Sequence, residues 1–159
     1  MTDIFLTKVL KAHQDCDQCP KSEEIAEFFN RLLGLLFPTF SSEVIKDKQA
    51  LKDGLSGLHS ELETFLLRQK HPNPREASSR FFQQVLPSVY ELINKDVDAI
   101  YAGDPAATST EEIKRSYPGF YAIASYRVAH GLLKLGVNNL PRSITENAHS
   151  RTGIDIHPG

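Results

Sequence analysis

Residues 117–136 read YPGFYAIASYRVAHGLLKLG, and this stretch decides the fold class. After Pro118 and Gly119, apolar residues recur at three- and four-residue steps, which is the spacing of one face of an α-helix. The members of this stripe are Tyr121, Ala124, Val128, Leu132 and Leu135. Gly136 is a typical C-terminal stop. The pattern therefore predicts an amphipathic helix that buries one face.

The same helical period runs through most of the chain on either side of this stretch. It predicts helices over about 22–37, about 42–69, about 75–101, about 109–117 and about 141–149. Ser22 and the pair Ser41-Ser42 are the expected N-caps of the first two. The run 71–74, HPNP, predicts a turn, and Pro87 predicts a kink or a short break inside the third helix.

The last residues change character. Ile154 and Ile156 alternate with Asp155 and His157, which is the two-residue period of a β-strand. A strand without a partner leaves its backbone unpaired, so we expect this stub to belong to a β-structure that continues beyond Gly159. The predicted organisation is an all-α domain over 1–150 and the truncated start of a second domain over 151–159.

Composition and charge exclude several classes of function. The chain has 159 residues, 40% of them hydrophobic, and a formal net charge of −2, which are values of an ordinary globular domain without a field that attracts nucleic acid. No apolar run is long enough to cross a membrane, and the N-terminus lacks the basic flank of a signal peptide. We therefore expect a cytoplasmic protein with no nucleic-acid or membrane partner.

The two cysteines, Cys16 and Cys19, form a C-x-x-C pair with His13 three residues earlier. A structural zinc site needs four ligands, and a redox pair of this spacing is typical of a thioredoxin-like βαβ unit. The sequence shows neither, so we expect two reduced thiols and no metal site, with a metal role as the alternative.

Two regions place carboxylates in unusual settings. Asp104 lies between Gly103 and Pro105 at a predicted helix end, where an aspartate is commonly a turn residue that bonds its own backbone. Asp155 and His157 share one face of the predicted strand, where both would face solvent. Local sequence alone leaves these plain structural roles open beside a functional one, and phosphate-binding, hydrolase and metalloprotease motifs are absent.

Three stretches together resemble the serine acetyltransferases. They are DPAA at 104–107, YPGFYAI at 117–123 followed by YRVAH at 126–130, and GIDIHP at 153–158; the family reads D-P-A, G-F-x-A-x-x-x-Y-R-x-x-H and D-I-H-P in this order. The resemblance covers about 101–159. It implies a helical N-terminal domain that leads into a left-handed parallel β-helix of hexapeptide repeats, and transfer of acetyl from acetyl-CoA to L-serine, the first step of cysteine biosynthesis.

The resemblance also implies roles for single residues. Asp155 matches the aspartate that orients a catalytic histidine, and Asp104 with Pro105 matches the part of the motif that lies in the serine site. His157 is expected to be an ordinary residue of the first coil. The base histidine and the acetyl-CoA groove of the family would lie beyond Gly159, so we expect this chain to bind no cofactor and to be inactive alone.

The family further implies a homo-oligomer, either a trimer or a dimer of trimers, and a complex with O-acetylserine sulfhydrylase through a C-terminal tail that is not in this chain. Phe28, Phe29 and Leu36 are the expected exposed residues for helical oligomer contacts. Two rival hypotheses stay open. One is a helical protein-interaction module without catalysis, and the other is a hexapeptide-repeat acetyltransferase with a different acceptor.

Overall fold

The computed structural model of the chain describes residues 2–15, 19–41 and 43–159. Within these ranges the protein is helical and contains no β-strand, which confirms the all-α prediction. The α-helices are α1 (Asp3–Asp15), α2 (Ser22–Leu36), α3 (Lys48–Arg68), α4 (Pro74–Arg80), α5 (Leu86–Gly103), α6 (Thr110–Ser116), α7 (Pro118–Leu133) and α8 (Asn139–Thr152). A short 3₁₀ turn, Pro38–Phe40, follows α2.

Helix α3 begins at Lys48 rather than at about residue 42, so the predicted start was wrong. Asp47 is the actual N-cap, because its side chain accepts a hydrogen bond of 2.9 Å from the backbone N–H of Ala50. Aspartate caps a helix as well as serine does. Ser42, half of the predicted cap pair, lies outside the described residues.

The irregularity predicted at Pro87 takes the form of a π-helical segment, Phe81–Val85, that joins α4 to α5. Proline has no N–H to donate to the carbonyl four residues earlier, and its ring crowds that carbonyl. A wider π turn directly before Pro87 relieves this conflict while the chain stays helical. The chain therefore stays helical from Pro74 to Gly103, as one helical rod with a local widening, and the short break that was one of the two predicted outcomes does not occur.

The helices close a circuit of contacts around one core. Helix α7 lies between α5 and α8, α8 also contacts α2, and α2 contacts α3, which packs on α4. The largest side chains that are fully buried in this core are Phe28, Phe29, Leu32, Leu33, Leu62, Leu66, Phe81, Ile93, Ile113, Phe120, Leu132 and Leu140. Each contributes about 1.5–3 kcal/mol on transfer from water, so the core fixes where the helix ends and their loops lie.

The prediction that Phe28 and Phe29 are exposed for oligomer contacts was wrong, because both are 0% exposed in the core. Leu36 is only partly buried and packs against that core. Five exposed apolar residues, Ile4, Phe5, Leu6, Val9 and Leu10, lie instead on α1, which buries none of its residues. No helix in the described ranges is long and apolar enough to span a membrane.

Arg68 joins the end of α3 to the start of α2. Its guanidinium donates two hydrogen bonds of 3.0 Å to the Glu24 carboxylate and a third of 3.2 Å to the carbonyl of Cys19. The hydrogen bond from Arg68 is the main cause that lowers the pKa of Glu24 to about 2. Cys19 is disulfide-bonded, so the expectation of two reduced thiols was wrong. Cys16 lies outside the described residues.

Candidate active site

Asp104 ends helix α5. The proline that follows forces its backbone out of the helical region, to φ −110° and ψ 104°, although its N–H still donates to the carbonyl of Ile100 at 3.0 Å. The carboxylate turns back on the chain, and Oδ1 accepts a hydrogen bond of 2.9 Å from the N–H of Ala106. This local bond is the one that the turn reading of the sequence predicts. Pro105 is exposed beside it.

The second oxygen of Asp104 is held by a residue thirteen positions further along the chain. The hydroxyl of Tyr117 donates a hydrogen bond of 2.8 Å to Oδ2. The backbone N–H of Ala106 and the Tyr117 hydroxyl together lower the pKa of Asp104 from its ordinary value, because both bonds favour the charged carboxylate. The same contact raises the pKa of Tyr117. Asp104 is therefore a fixed anion at neutral pH.

A second carboxylate, Glu112, belongs to the same stretch. Its Oε2 accepts hydrogen bonds from the hydroxyl of Thr108 at 2.5 Å and from the N–H of Thr108 at 2.7 Å, and its own N–H donates to the capping Ser109. The bonds from Thr108 lower the pKa of Glu112, whereas the negative charge of Asp104 acts in the opposite direction. We call residues 104–117 the Asp104 segment; its internal bonds order it without a ligand.

The Asp104 carboxylate keeps capacity for a ligand. Each of its oxygens accepts one hydrogen bond within the described residues, and a carboxylate oxygen has room for two. The residue is half-buried. An ammonium group that reached it would form charge-assisted hydrogen bonds, which are among the stronger polar contacts in proteins. Chemically, this arrangement can hold the positive end of an amino acid.

The last seven residues, 153–159, which we call the Asp155 tail, follow α8. Gly153 closes the helix in the left-handed conformation, with φ 72°. Ile154 and Ile156 are half-buried while Asp155 and His157 are exposed, which confirms the predicted alternation. The backbone at 154–159 nevertheless forms no strand with any part of the described chain. The strand stub was therefore wrong for this chain, because a ladder needs a partner that these ranges do not supply.

The tail is anchored at its far end. The Nδ1 atom of His130 lies 2.8 Å from the carbonyl oxygen of Pro158, and because a carbonyl only accepts, Nδ1 carries the proton. Pro158 is buried. The ring of His130 stacks on that of Tyr126, with centroids 5.4 Å apart. These contacts give His130 a specific structural role.

Arg127, in the same motif, holds helix α7 to α5. Its guanidinium donates two hydrogen bonds of 2.8 Å to the carboxylate of Asp96, and this contact raises the pKa of Arg127. The paired side chains are 29% and 22% exposed. The Y-R-x-x-H residues thus connect α7 to the rod on one side and to the tail on the other.

The residue that binds Asp104 and the residue that binds Pro158 lie at opposite ends of α7. Tyr117, which binds Asp104, precedes the helix, whereas His130, which binds Pro158, lies about 20 Å farther along the axis at 1.5 Å per residue. The tail reaches that point from the end of α8, where Arg151 stacks over Tyr121 with its guanidinium carbon 4.5 Å from the ring centre. In the chain, Asp155 lies between Arg151 and Pro158, the two residues that make these contacts with α7.

Asp155 itself has no partner in the described ranges. Its carboxylate forms neither a hydrogen bond nor an ion pair with residues 2–15, 19–41 or 43–159, and it does not contact Asp104. His157 bonds locally, with Nδ1 2.9 Å from the carbonyl oxygen of Gly159. The Asp104 segment is therefore ordered by this chain, whereas the carboxylate of Asp155 is presented to solvent.

Sequence reasoning missed Tyr117 as a site residue. It lies between α6 and α7, thirteen positions from Asp104, and no periodicity or local motif joins the two. Only the packing of α6 against α5 and α7 brings its hydroxyl to the carboxylate. In the part of the chain that the structure describes, no group of three His, Cys, Asp or Glu side chains is arranged to hold a metal ion.

The similar proteins described below are all named serine acetyltransferase. No family model matches the chain. The Synechococcus elongatus protein named "Serine acetyltransferase, plasmid" is 53% identical over 78 residues, which are 49% of this chain and 24% of that protein. The serine acetyltransferase of Bacillus subtilis is 39% identical over 70 residues, 44% of this chain and 32% of that protein. The chain thus spans about a quarter to a third of these curated relatives.

Solved structures extend the similarity to the fold. Entamoeba histolytica serine acetyltransferase 1 in complex with L-cysteine aligns with a TM-score of 0.72 and 32% identity, over 82% of this chain and 49% of that one. Isoform 3 of the same organism, in complex with cysteine, aligns with a TM-score of 0.68 over 83% of this chain and 48% of that one. The resemblance inferred from the three sequence motifs is confirmed by these similarities.

Proposed function

We infer that this chain, which is similar in sequence and fold to the N-terminal region of serine acetyltransferases, supplies the acceptor side of an acetyl-transfer site. In the whole protein the acetyl group of acetyl-CoA passes to the hydroxyl of L-serine. A C–O bond forms and the thioester C–S bond breaks, so the products are O-acetylserine and coenzyme A. Asp104 and Pro105 contribute the serine-side wall, and the remaining catalytic groups follow Gly159.

The observation that carries this proposal is the ordered, charged and half-exposed carboxylate of Asp104. Two hydrogen bonds fix it before any ligand arrives, so binding an ammonium group costs little further ordering of the protein. L-cysteine carries the same ammonium and carboxylate groups as L-serine with a thiol in place of the hydroxyl. We therefore expect cysteine to compete for this site.

Asp155 has the second role in the proposal. An exposed carboxylate with no partner in the described ranges is available to a group from the following part of the protein. Bonded to one nitrogen of an imidazole, it would fix the tautomer and stabilise the imidazolium that forms when the other nitrogen takes the serine proton. The histidine itself lies beyond this chain in the proposal, as do the acetyl-CoA groove and the tail for O-acetylserine sulfhydrylase.

The test is acetyl transfer by the product of the uninterrupted reading frame, followed as thiol release from acetyl-CoA with and without L-serine. We expect serine-dependent release from that product and none from the 159-residue chain. Asp104→Asn should raise the KM for serine by about tenfold or more, the effect of losing one charge-assisted contact, and leave the KM for acetyl-CoA unchanged.

Asp98→Asn is the matched control. Asp98 lies on α5, is exposed, and has no hydrogen bond or ion pair with the described residues, so the same change of charge should leave both KM values as they were. A reading frame that stops at Gly159, or a full product without serine-dependent activity, would contradict the proposal and favour the interaction module. Equal activity with a hydroxylated acceptor other than serine would favour a different acceptor.

The homo-oligomer stays part of the proposal, with its surface moved to α1. Phe5, Leu6, Val9 and Leu10 lie on one face of this helix at four-residue steps and are 39–59% exposed, and α1 buries none of its residues. A contiguous apolar face of this kind is typical of a binding surface, and a second copy offers the same face by symmetry.

Light scattering on the chain tests this surface. Leu6→Ser with Leu10→Ser should convert an oligomer to a monomer, whereas Lys8→Ser with Lys11→Ser, changed on the opposite face of α1, should not. A wild-type chain that stays monomeric at concentrations on the order of 100 μM would exclude self-association through α1, because specific interfaces commonly bind at micromolar levels or below.

A further inference from the structure

The backbone around Tyr117 is fixed on both sides. Its N–H donates to the carbonyl of Ile113 at 3.1 Å, and its carbonyl accepts from the N–H of Phe120 at 3.1 Å. The residue therefore ends α6 and precedes α7 at the same time. Because Ile113 and Phe120 are buried in the core, the base of the Tyr117 side chain has a defined position relative to the helices.

We propose that Tyr117 is a positioning residue for the acceptor site, and that its hydroxyl holds the Asp104 carboxylate in the one orientation that receives the ammonium group of the acceptor. The proposal rests on the proposed function of Asp104 and adds the residue that sets its geometry. Tyr117 touches no reacting atom in this account. It acts through Asp104 alone.

Asp104 needs such support because its immediate surroundings are open. It follows Gly103, beside which the structure leaves free space, and it precedes the exposed Pro105. The bond from Ala106 holds only Oδ1, so the carboxylate could still rotate about that contact. The Tyr117 hydroxyl holds Oδ2 from the other side, and two anchors at two oxygens leave one orientation.

Charge keeps the tyrosine in its donor form. The hydrogen bond to Asp104, partial burial, and the negative charges of Asp104 and Glu112 all raise the pKa of Tyr117 above its ordinary value of about 10. The hydroxyl is therefore protonated throughout the neutral range and donates. Helix α6 has two basic side chains near Tyr117 in sequence: Lys114, which is paired with Glu111 at 2.7 Å, and Arg115, which is exposed.

The two carboxylates also bear on which acceptor the site takes. Asp104 and Glu112 lie close enough for the charge of one to affect the pKa of the other. An acceptor with an ammonium group is attracted, and one without it gains nothing from Asp104. If Tyr117 orients this carboxylate, its hydroxyl should favour L-serine over 3-hydroxypropionate, which is serine without the ammonium group.

The first experiment uses the 159-residue chain and does not depend on catalysis. The carboxyl carbon of Asp104 is titrated by ¹³C NMR in the wild type, in Tyr117→Phe and in the control Tyr101→Phe. Tyr101 is exposed, near Asp104 in sequence, and without a hydrogen bond to the described residues. We expect the pKa of Asp104 to rise toward its ordinary value in Tyr117→Phe alone.

The second experiment uses the product of the uninterrupted reading frame. Tyr117→Phe should raise the KM for L-serine about threefold to tenfold with kcat within about twofold, the pattern of lost binding rather than lost chemistry. The preference for serine over 3-hydroxypropionate should shrink by the same factor. Tyr101→Phe should leave both quantities unchanged, and equal thermal unfolding midpoints would show that both variants are folded.

The outcomes separate the two proposals. An Asp104 pKa that does not change in Tyr117→Phe would overturn the positioning role whatever the enzyme does. A raised pKa with unchanged serine KM would also overturn it if Asp104→Asn raises that KM. If Asp104→Asn itself has no effect on serine, the proposed function of Asp104 fails, and the positioning role fails with it although the hydrogen bond is real.

Discussion

The Asp104 segment and the Asp155 tail flank the same helix, yet they differ in how much of their structure this chain determines. In the Asp104 segment the carboxylates of Asp104 and Glu112 are bonded, and the short helix α6 fixes them to the core. In the tail the backbone is anchored at Pro158 while the carboxylate of Asp155 is bound by nothing in the described ranges.

The two regions differ in which contacts hold them. The Asp104 segment is closed by bonds within fourteen residues, supported by one buried isoleucine, so it forms when the helices pack. The tail lies along α7 with its isoleucines half-buried and its polar side chains outward. A site that is assembled from both regions would thus have one half ordered in advance and one half completed by later residues.

The largest effect should come from removing the buried residue that supports the Asp104 segment. Ile113 is 0% exposed and is the buried residue of α6. Ile113→Ala should lower the free energy of unfolding by about 3 kcal/mol, since it leaves a cavity in the core. Urea denaturation measures this loss, and the ¹³C titration of Asp104 should move toward an ordinary aspartate as Tyr117 loosens.

Ile4→Ala is the control for that prediction. Ile4 is 71% exposed on α1, so the same substitution should change the free energy of unfolding by no more than about 0.5 kcal/mol. Equal effects of the two variants would mean that α6 does not depend on Ile113, and the contrast between a supported segment and an open tail would fail.

A milder change tests the cap of the same helix. The hydroxyl of Ser109 accepts the N–H of Glu112 at 3.1 Å, and Ser109→Ala should lower the free energy of unfolding by about 1 kcal/mol. For a domain of this size the thermal midpoint should fall by about 2–4 °C. Ser116→Ala, at the exposed end of α6, should have little effect; a larger fall for Ser116→Ala than for Ser109→Ala would contradict the role of the cap.

Much of the fold could be predicted because helix period and helix-ending residues are local signals. The stripe on α7 and the turn before Pro74 follow from spacing and proline geometry alone. The start of α3 could not be placed, because Asp47 and the serines before it are equally good caps. The π segment before Pro87 forms because proline disturbs the α-helical hydrogen bonds while the chain stays helical on both sides. The spacing of apolar residues does not reveal this outcome.

The contacts of the candidate site likewise divide into local ones, which the sequence predicts, and long-range ones, which it does not. The bond from Ala106 to Asp104 is local and follows from an aspartate at a turn. The bond from Tyr117, between α6 and α7, to Asp104, at the end of α5, depends on tertiary packing. So does the bond from Arg127 on α7 to Asp96 on α5. The burial of Phe28 and Phe29 was likewise misjudged, since an apolar helix face does not say which of its neighbours covers it.

A substitution at His130, which anchors the Asp155 tail, tests the comparison at the tail. His130→Phe should keep the stacking on Tyr126 and lose the hydrogen bond to Pro158, at a cost of about 1 kcal/mol or less. Backbone NMR relaxation should then show faster motion at 154–159 with the Asp104 segment unchanged. His149→Phe, exposed on α8, is the control, and equal motion of the tail in both would contradict the anchor.

The smallest expected effect on stability is that of Asp155→Asn, compared with Asp104→Asn. Because Asp155 is exposed and unbonded within the described ranges, its change should alter the free energy of unfolding by no more than about 0.5 kcal/mol. Asp104→Asn should cost about 1 kcal/mol, since an amide cannot accept two hydrogen bonds at two oxygens. Urea denaturation of the chain measures both.

In the product of the uninterrupted reading frame the order of the effects on turnover should reverse. Asp155→Asn should lower kcat about a hundredfold or more, because an imidazole without its carboxylate loses the correct tautomer, whereas Asp104→Asn should act mainly on the KM for serine. A carboxylate that contributes nothing to folding and much to turnover is one whose partner comes from outside the chain. Unchanged kcat in Asp155→Asn would show that the tail is only a connection.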